Sequence, residues 1–354
     1  MSYIKGRGAQ HNVHNRFLQH KYEVLDDFLN YCEIEKEKSD NNKTSYLEIF
    51  PKTILNKAPS PDVGFLYSMN PYQGCEHGCI YCYARNSHEY WGYSAGLDFE
   101  RKILYKTNAP ELLEKKLRSR SWVPKNIMLS GNTDCYQPIE KELQITRKML
   151  EVLLKLKHPV SILTKNSLVL RDIDIIKEMS SMNLIRVNIS ITSLSEEVRR
   201  KVEPRTASIK KRLETVRILS ENKVPVGVMM APIIPAINNH EIIPLVKKVS
   251  VLGAKSVGYT VVRLNGAIGE IFTNWVKKTY LDRADKILNQ IKACHNGTLN
   301  DSNYATRMKG EGEFAKQIKI QFQLAKRMYL KNIELPPLDF TKFDKNQTNQ
   351  MKLF

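Results

Sequence analysis

No stretch of about 18 or more consecutive apolar residues occurs in this 354-residue chain, so a transmembrane helix is not expected. The opening run MSYIKGRGAQHNVHNRF lacks the apolar centre of a secretory signal, and a cytoplasmic protein is expected. There is no internal repeat. Acidic residues are in short supply, with 37 Asp and Glu against 55 Lys and Arg, a formal charge of +18. Such an excess favours polyanions, either nucleic acid or an anionic membrane surface. A lysine-rich composition spread evenly along the chain accounts for the same number. Cysteine is scarce, with six residues. Disulfides are rare in the cytoplasm, so cysteines that cluster there point to metal binding or redox work. What the chain does hold is apolar residues at 42% against 26% charged, enough for a sizeable core.

Residues 1–46 read as a basic arm and linker. The segment GRGAQHNVHNRF carries Arg7, His11, His14 and Arg16, and fits an arm lying over the core or on a polyanion, or a frayed terminus. IEKEKSDNNKTS reads as a solvated loop. Across 47–268 short apolar runs alternate with amphipathic segments. FLYSMNPY (65–72), NIMLSGNTD, PVSILTKN, LIRVNISITS, VPVGVMMAPIIP and AKSVGYTVVRL read as strands. PELLEKKLRSR, KELQITRKMLEVLLKLK, RDIDIIKEMSSMN, SIKKRLETVRILSEN and EIIPLVKKVSVLG read as helices. That alternation predicts an α/β fold of parallel strands with helical crossovers, as an open or partial barrel or a doubly wound sheet. In either case the site belongs at the carboxyl ends of the strands. Residues 269–335 read as a C-terminal helical extension, and 336–354 as a loose tail.

Half of the cysteines fall within residues 69–85, MNPYQGCEHGCIYCYAR. Cys75, Cys79 and Cys82 have the spacing C-x3-C-x2-C. A structural zinc site wants four ligands. His77 could be the fourth, but its place between the first two cysteines is unusual. No second C-x2-C pair follows, and Cys32, Cys135 and Cys294 are isolated. A [4Fe–4S] cluster usually takes four cysteines. One held by three leaves an iron open to a substrate or cofactor, the arrangement of a catalytic rather than a structural centre.

These residues carry a resemblance. C-x3-C-x2-C with Tyr81 before the third cysteine is similar to the signature of radical S-adenosylmethionine (radical SAM) enzymes. NPYQGCEHGCIYCYAR resembles more narrowly the spore photoproduct lyase-related, DNA repair photolyase-like branch. The likeness continues through SGNTDCYQPIE, LTKNSLVLRDID, ISITS and LNDSNYATRMKGEGEFAKQI, and covers most of residues 1–330. It implies a partial (β/α)6 barrel, TIM-like, with an extra N-terminal segment and C-terminal helices. It also implies a [4Fe–4S] cluster on Cys75, Cys79 and Cys82, with S-adenosylmethionine on the open iron. Reduction by a partner such as flavodoxin or ferredoxin would cleave the sulfonium and yield a hydrogen-abstracting 5′-deoxyadenosyl radical. The cofactor carries the hard chemistry, and the protein positions and shields it.

The rest of the site is read strand by strand. The resemblance implies an amino-group-binding motif after the second strand, where Asn132, Thr133 and Asp134 stand; an ordinary turn with Asp134 starting a helix fits the same residues. Lys165, ending the third strand, suits the methionyl carboxylate or a surface position. Ser190 and Thr192 share one face of the fourth strand and suit the ribose, or else bond their own backbone. Glu203 and Arg205 follow closely enough to enter the same pocket. Met229 and Met230 read as core packing. Cys135 and Tyr136 are candidates for returning hydrogen to a product radical, against a buried inert thiol. The lyases use a cysteine several residues earlier, where this chain has Ser130 and Gly131. The aromatic stretch YCYARNSHEYWGY, with Arg85 and His88, is read first as a shield for the cluster and second as a stack for nucleobases. The expected substrate is DNA or RNA with a damaged or modified base. The alternatives are a small molecule or protein as substrate, or a non-catalytic zinc or iron–sulfur module that binds nucleic acid.

Overall fold

Strands form where β-branched and other apolar residues run together between turn residues, and the computed structural model places ten of them among residues 3–18, 43–58 and 60–347, which it describes. They are β1 (Ser45–Glu48), β2 (Leu55–Lys57), β3 (Tyr67–Met69), β4 (Tyr72–Gln73), β5 (Lys102–Tyr105), β6 (Ile127–Leu129), β7 (Val160–Thr164), β8 (Ile185–Ser190), β9 (Val226–Ile233) and β10 (Ser256–Val261). The main sheet runs β10-β9-β8-β7-β6-β3-β2. β3 and β6 to β10 are parallel, in the registers Tyr67↔Ile127, Ile127↔Val160, Val160↔Ile185, Val187↔Val226 and Gly227↔Ser256. β2 joins β3 antiparallel at one edge. Spatial order follows chain order without a reversal, so there is no switch point, and β10 does not pair with β2. The expected six parallel strands are therefore present as an open, barrel-like sheet.

The helices cover the outer face of these strands, and β8 and β10 alternate accordingly, burying Ile185, Val187 and Ile189 in one and Val257, Tyr259 and Val261 in the other. Val160, Ile162, Val187, Val226 and Met230 are fully buried, against Leu113, Met149, Leu150, Leu153, Ile176 and Val216 from the crossover helices. Burying each such side chain contributes about 1.5–3 kcal/mol. The helices Ala109–Leu117, Ile145–Lys155, Ile173–Ser181, Ile209–Glu221 and Ile242–Val251 supply that apolar stripe. Ser208 opens one of them by accepting the backbone N–H of Lys211 at 3.3 Å.

Several boundaries differ from expectation. The strand expected over 65–72 is two, β3 and β4, with Pro71 between them, where a residue without an N–H cannot extend a ladder. The helix expected over 141–157 breaks at Gln144, which adopts a left-handed φ of 53° between Glu140–Leu143 and Ile145–Lys155. A second sheet, β1-β5-β4, was not expected from the sequence.

The C-terminal helices are Ile268–Thr279, Ala284–Ala293 and Gly312–Tyr329. The last packs Phe322 against Tyr259 at 4.4 Å, covering β10. The tail expected to be loose is docked over the part described. Arg186 donates to the Pro336 carbonyl at 2.7 Å, and Arg118 to the carbonyls of Lys345 and Gln347 at 2.6 and 2.8 Å. Asp339 and Asp344 give their N–H groups to Asn183 and Leu156 at the amino-terminal side of the sheet. The linker reading for residues 24–42, and Cys32, lie outside the described residues. No helix among the described residues is long and apolar enough to cross a membrane.

Candidate functional site

The cysteine loop leaves β4 through Gly74 and turns again at Gly78, whose φ of 77° and 66° suit glycine. Its backbone is tied on several sides. The Cys75 N–H donates to Phe99 at 2.8 Å, the Ile80 N–H to Val202 at 3.1 Å, and the His77 carbonyl accepts from Arg205 at 3.2 Å. Gln137 clamps the loop with both ends of its amide, accepting from Glu76 N–H at 3.1 Å and donating to the Gly74 carbonyl at 3.2 Å.

Underneath lies a buried ion pair. Arg85 donates to the Cys79 carbonyl at 3.1 and 3.0 Å and meets Glu100 at 2.5 Å. Glu100 also accepts the N–H groups of Gly8 and Ala9 at 3.1 and 2.8 Å. The N-terminal segment is thus seated against the loop rather than frayed, with Arg7, Ala9, Gln10, Val13 and Asn15 buried. A Cβ on Gly8 would come within 1.9 Å of the Gly78 carbonyl, so only glycine permits this approach.

The three cysteine side chains face one cavity of about 90 Å3. His77, Tyr83, Ser130, Asn132, Thr133, Asp134, Leu163, Thr164, Lys165 and Ser190 line the rest. The walls come from the carboxyl ends of β6, β7 and β8, where a parallel barrel holds its ligands. No disulfide forms among the described residues. Nor do any three His, Cys, Asp or Glu among them stand close enough together to hold one metal ion. Three thiols on one cavity fall short of the four ligands of a structural zinc site. Burial pushes the Cys79 thiol well up, and burial with the neighbouring Cys75 raises that of Cys82. A bound cation reverses this by taking the thiolate, so loading the site releases protons.

The ammonium of Lys165 has no hydrogen-bond or ion-pair partner among the described residues. Burial lowers its pKa, yet the neighbouring Cys79 and Glu203 outweigh burial and raise it. It lies 6.0 Å from the centroid of Tyr81. A cation so placed, facing the cavity, calls for an anion. The Ser190 hydroxyl likewise faces the cavity, while its carbonyl accepts from Arg212 at 3.0 Å.

Other expected ligands are occupied by the protein itself. The Asn132 amide donates to Gln73 and Ser87, both at 3.0 Å. The backbone N–H groups of Asn132 and Thr133 go to Asn70 Oδ1, at 2.9 and 3.2 Å, and the Thr133 hydroxyl to the Tyr72 carbonyl at 2.9 Å. Asp134 accepts from Thr164 Oγ1 and the Lys165 N–H, both at 2.7 Å, and from Tyr136 N–H at 2.9 Å. Burial opposes its charge, but His77 and these donors hold its pKa down to about 2. His77 Nδ1 lies 3.4 Å from Asp134. This loop therefore offers the cavity few free donors.

Tyr81, Thr192 and Glu203 do not line the cavity. Glu203 accepts the hydroxyls of both, from Thr192 at 3.0 Å, and pairs with Arg212 at 2.7 Å. Burial opposes that charge, but Arg212 and Lys165 bring its pKa down to about 2. The Arg205 guanidinium turns away to Glu76 at 3.4 Å. Cys135 and Tyr136 belong to the core, fully buried, with the Tyr136 hydroxyl on Asp172 at 3.0 Å. The Cys135 thiol therefore does not face the cavity. In the aromatic stretch, now the 3-10 helix Tyr83–Trp91, Arg85 and His88 point inward, and His88 sits 5.6 Å from Phe99. Its basic groups are not on a nucleic-acid surface.

Sequence reasoning missed Asn70, Gln137, Glu100 and Arg212, and named Arg85 without its buried pairing with Glu100. Asn70 stands directly after a strand, a position that signals a turn-making amide. The buried arginines and glutamate give no sign in spacing, because each is defined by a partner distant in the chain.

The description "Radical SAM superfamily" belongs to the family model that matches residues 69–249. An uncharacterized protein of Mycobacterium tuberculosis (strain ATCC 25618 / H37Rv) is 30% identical over 239 residues, covering 67% of this chain and 70% of that protein. One from Methanocaldococcus jannaschii is 33% identical over 203 residues, 57% of this chain and 73% of the other. Among solved structures, spore photoproduct lyase complexed with dinucleoside spore photoproduct is similar, with a TM-score of 0.61 and 16% identity, over 81% of this chain and 80% of that one. A variant of the same lyase with bound AdoMet and dinucleoside spore photoproduct gives 0.59 and 15%, over 80% and 79%. At such identity the likeness is one of fold.

Proposed function

The chain belongs to the radical SAM superfamily and is an enzyme of it, and from that premise we propose that it holds a [4Fe–4S] cluster on Cys75, Cys79 and Cys82 and abstracts hydrogen from a nucleic-acid substrate. Membership implies an iron–sulfur cluster and S-adenosylmethionine. One observation carries the reading: three thiols, the unpartnered Lys165 ammonium and the Ser190 hydroxyl face one cavity at the carboxyl ends of parallel strands. When bound and reduced, such a cluster supplies the electron that cleaves the C–S bond of S-adenosylmethionine and so generates a hydrogen-abstracting radical.

The chain's own residues have the following parts. Cys75, Cys79 and Cys82 would hold the cluster by their thiolates. Lys165 pairs with the methionyl carboxylate of the cofactor. Ser190 bonds a hydroxyl of its ribose. Glu203, Tyr81 and Arg212 are positioning residues: they hold the strand ends and the cysteine loop in one arrangement without touching the cofactor. Asn70 and Asp134 do the same for residues 130–134. Tyr83 covers the cavity, its hydroxyl donating to the Gly131 carbonyl. Phe99, His88 and the seated N-terminal segment exclude water from below. A flavodoxin or ferredoxin is the proposed reductant, and the cytoplasm the proposed compartment.

A nucleic-acid substrate is supported by the charge of +18 and by the fold shared with a lyase solved with a dinucleoside photoproduct. The thiol of Cys135 has no part in this proposal, because it is enclosed by the core.

The test is anaerobic. The protein is reconstituted with iron and sulfide, reduced, and given S-adenosylmethionine. 5′-Deoxyadenosine should form with the intact triad and not with Cys79→Ala. Formation at the wild-type rate in that variant would sink the assignment.

A further inference from the structure

Arg263 lies two residues beyond β10, at the carboxyl end of the last parallel strand. Its neighbours fix it. The Val262 N–H donates to Ile233, the Leu264 N–H to Leu299, both at 2.9 Å, and both side chains are buried. Arg263, between them, takes the other direction. The loop that follows is held against the segment after the cysteines, because Asn86 donates to the Asn265 carbonyl at 2.9 Å. Tyr83, three residues before Asn86, covers the cavity and is near enough to feel the Arg263 charge.

The guanidinium of Arg263 is partly buried and has no hydrogen-bond or ion-pair partner among the described residues. Five donors in a rigid fork are thus left for solvent or a ligand. The acids within reach are already engaged. Asp62 holds Arg307 at 2.5 Å and the Ala305 N–H at 3.0 Å. Asp301 holds Thr306 and the Asn303 N–H. Arg307 adds positive charge beside Arg263. Burial and the charge of Arg307 both press against the Arg263 cation, so a counter-anion relieves both. Beside it the exposed ring of Tyr304 lies 4.5 Å from the Arg307 guanidinium, a surface on which a base can stack.

We infer that Arg263 anchors a phosphodiester of the substrate strand at the carboxyl end of β10, beside the segment 301–309 that bridges β10 and the turn after β2, and so presents the neighbouring nucleotide to the cavity beneath Tyr83. This rests on the nucleic-acid reading above, and it names the edge by which the strand enters. A planar fork takes phosphate with two parallel hydrogen bonds, which an ammonium cannot reproduce.

The probe is a fluorescein-labelled oligothymidylate, titrated into reconstituted enzyme over a range of salt and followed by anisotropy. Arg263→Gln should raise Kd about tenfold, the loss of one charged phosphate contact. It should also flatten the slope of log K against log salt by about 0.7, one phosphate on a single strand. Arg263→Lys should recover the slope but only part of the affinity. Iron content and visible absorbance of each variant, equal to wild type, verify an intact fold. An unchanged Kd and slope in Arg263→Gln would overturn the inference, as would failure of the wild type to bind the probe. If the wild type binds iron and forms 5′-deoxyadenosine while Arg263→Gln binds the probe normally, the inference alone falls. If the wild type takes up no iron, the cofactor reading falls and this one with it.

Discussion

The carboxylate of Glu203 and the guanidinium of Arg212 meet at 2.7 Å with neither side chain exposed. That pair joins three elements. Arg212 reaches the last residue of β8 from the helix Ile209–Glu221, and Glu203 collects the hydroxyls of Tyr81 from the cysteine loop and Thr192 from beyond β8. Removing one partner of a buried pair leaves an uncompensated charge and costs about 3–5 kcal/mol. Arg212→Met should lower the urea midpoint accordingly and reduce iron retained per chain. Glu203→Gln combined with Arg212→Met should regain most of the midpoint. An unaltered midpoint in the single variant would refute the role of the pair.

Lys165 makes a sharper prediction about the cofactor. A charge-assisted hydrogen bond is worth about 1.5–3 kcal/mol, or about ten- to a hundredfold in affinity. Lys165→Met should weaken S-adenosylmethionine binding by that factor in anaerobic calorimetry, with iron content unchanged. Equal affinity would remove Lys165 from the cofactor site.

Cys135→Ala should form 5′-deoxyadenosine at the wild-type rate. The thiol is enclosed by the core, so its loss should cost about 1 kcal/mol of stability and no chemistry. Full iron with little product in this variant would return the thiol to the mechanism.

Acid should destabilise the fold partly through His158. Its Nε2 accepts from Trp122 at 3.1 Å and its Nδ1 faces the Pro159 carbonyl at 2.9 Å, an arrangement made for the neutral ring. Burial lowers its pKa from 6.5 to about 4. The unfolded chain therefore binds the proton more readily. The stability contributed is complete above about pH 6.5 and is lost as the pH falls towards about 4, by at most about 3 kcal/mol. His88, lowered to about 4 by burial, acts with the same sign. The share of His158 is thus the difference between wild type and His158→Gln, measured by urea denaturation at about pH 7 and about pH 5 with tryptophan fluorescence. Parallel losses in the two proteins would refute it.

The parallel strands could be read from the sequence because each carries β-branched or other apolar residues, in runs or in alternation, between turn residues. β1 and β5 could not. β1 is exposed at all four residues, and its partner β5, 57 positions on, has only the apolar pair Ile103 and Leu104, too short to mark a strand. The same reason divides the site. Cys75, Cys79 and Cys82 were legible because the chemistry sits in their spacing, and Lys165 and Ser190 because a strand end points one residue at the cavity. Whether Thr192, Tyr81 or Glu203 turned towards a cofactor or towards one another depended on Arg212, which no periodicity singles out. Cys135 was misleading for a related reason: a thiol next to a site in sequence was carried into the core by the turn at Ser130, whose φ is 84°.

The seat of the N-terminal segment has a bearing on how the protein is made. Gly8 finds its acceptor in Glu100, 92 residues later, and lies against Gly78 on the way. A ribosome releases the arm first and its seat long afterwards. Until Glu100 emerges, the cysteine loop is translated, extended and without that cover. The nascent chain thus passes through a stage in which its cysteines are open to whatever the surroundings deliver, before Gly8 and Ala9 are seated on Glu100.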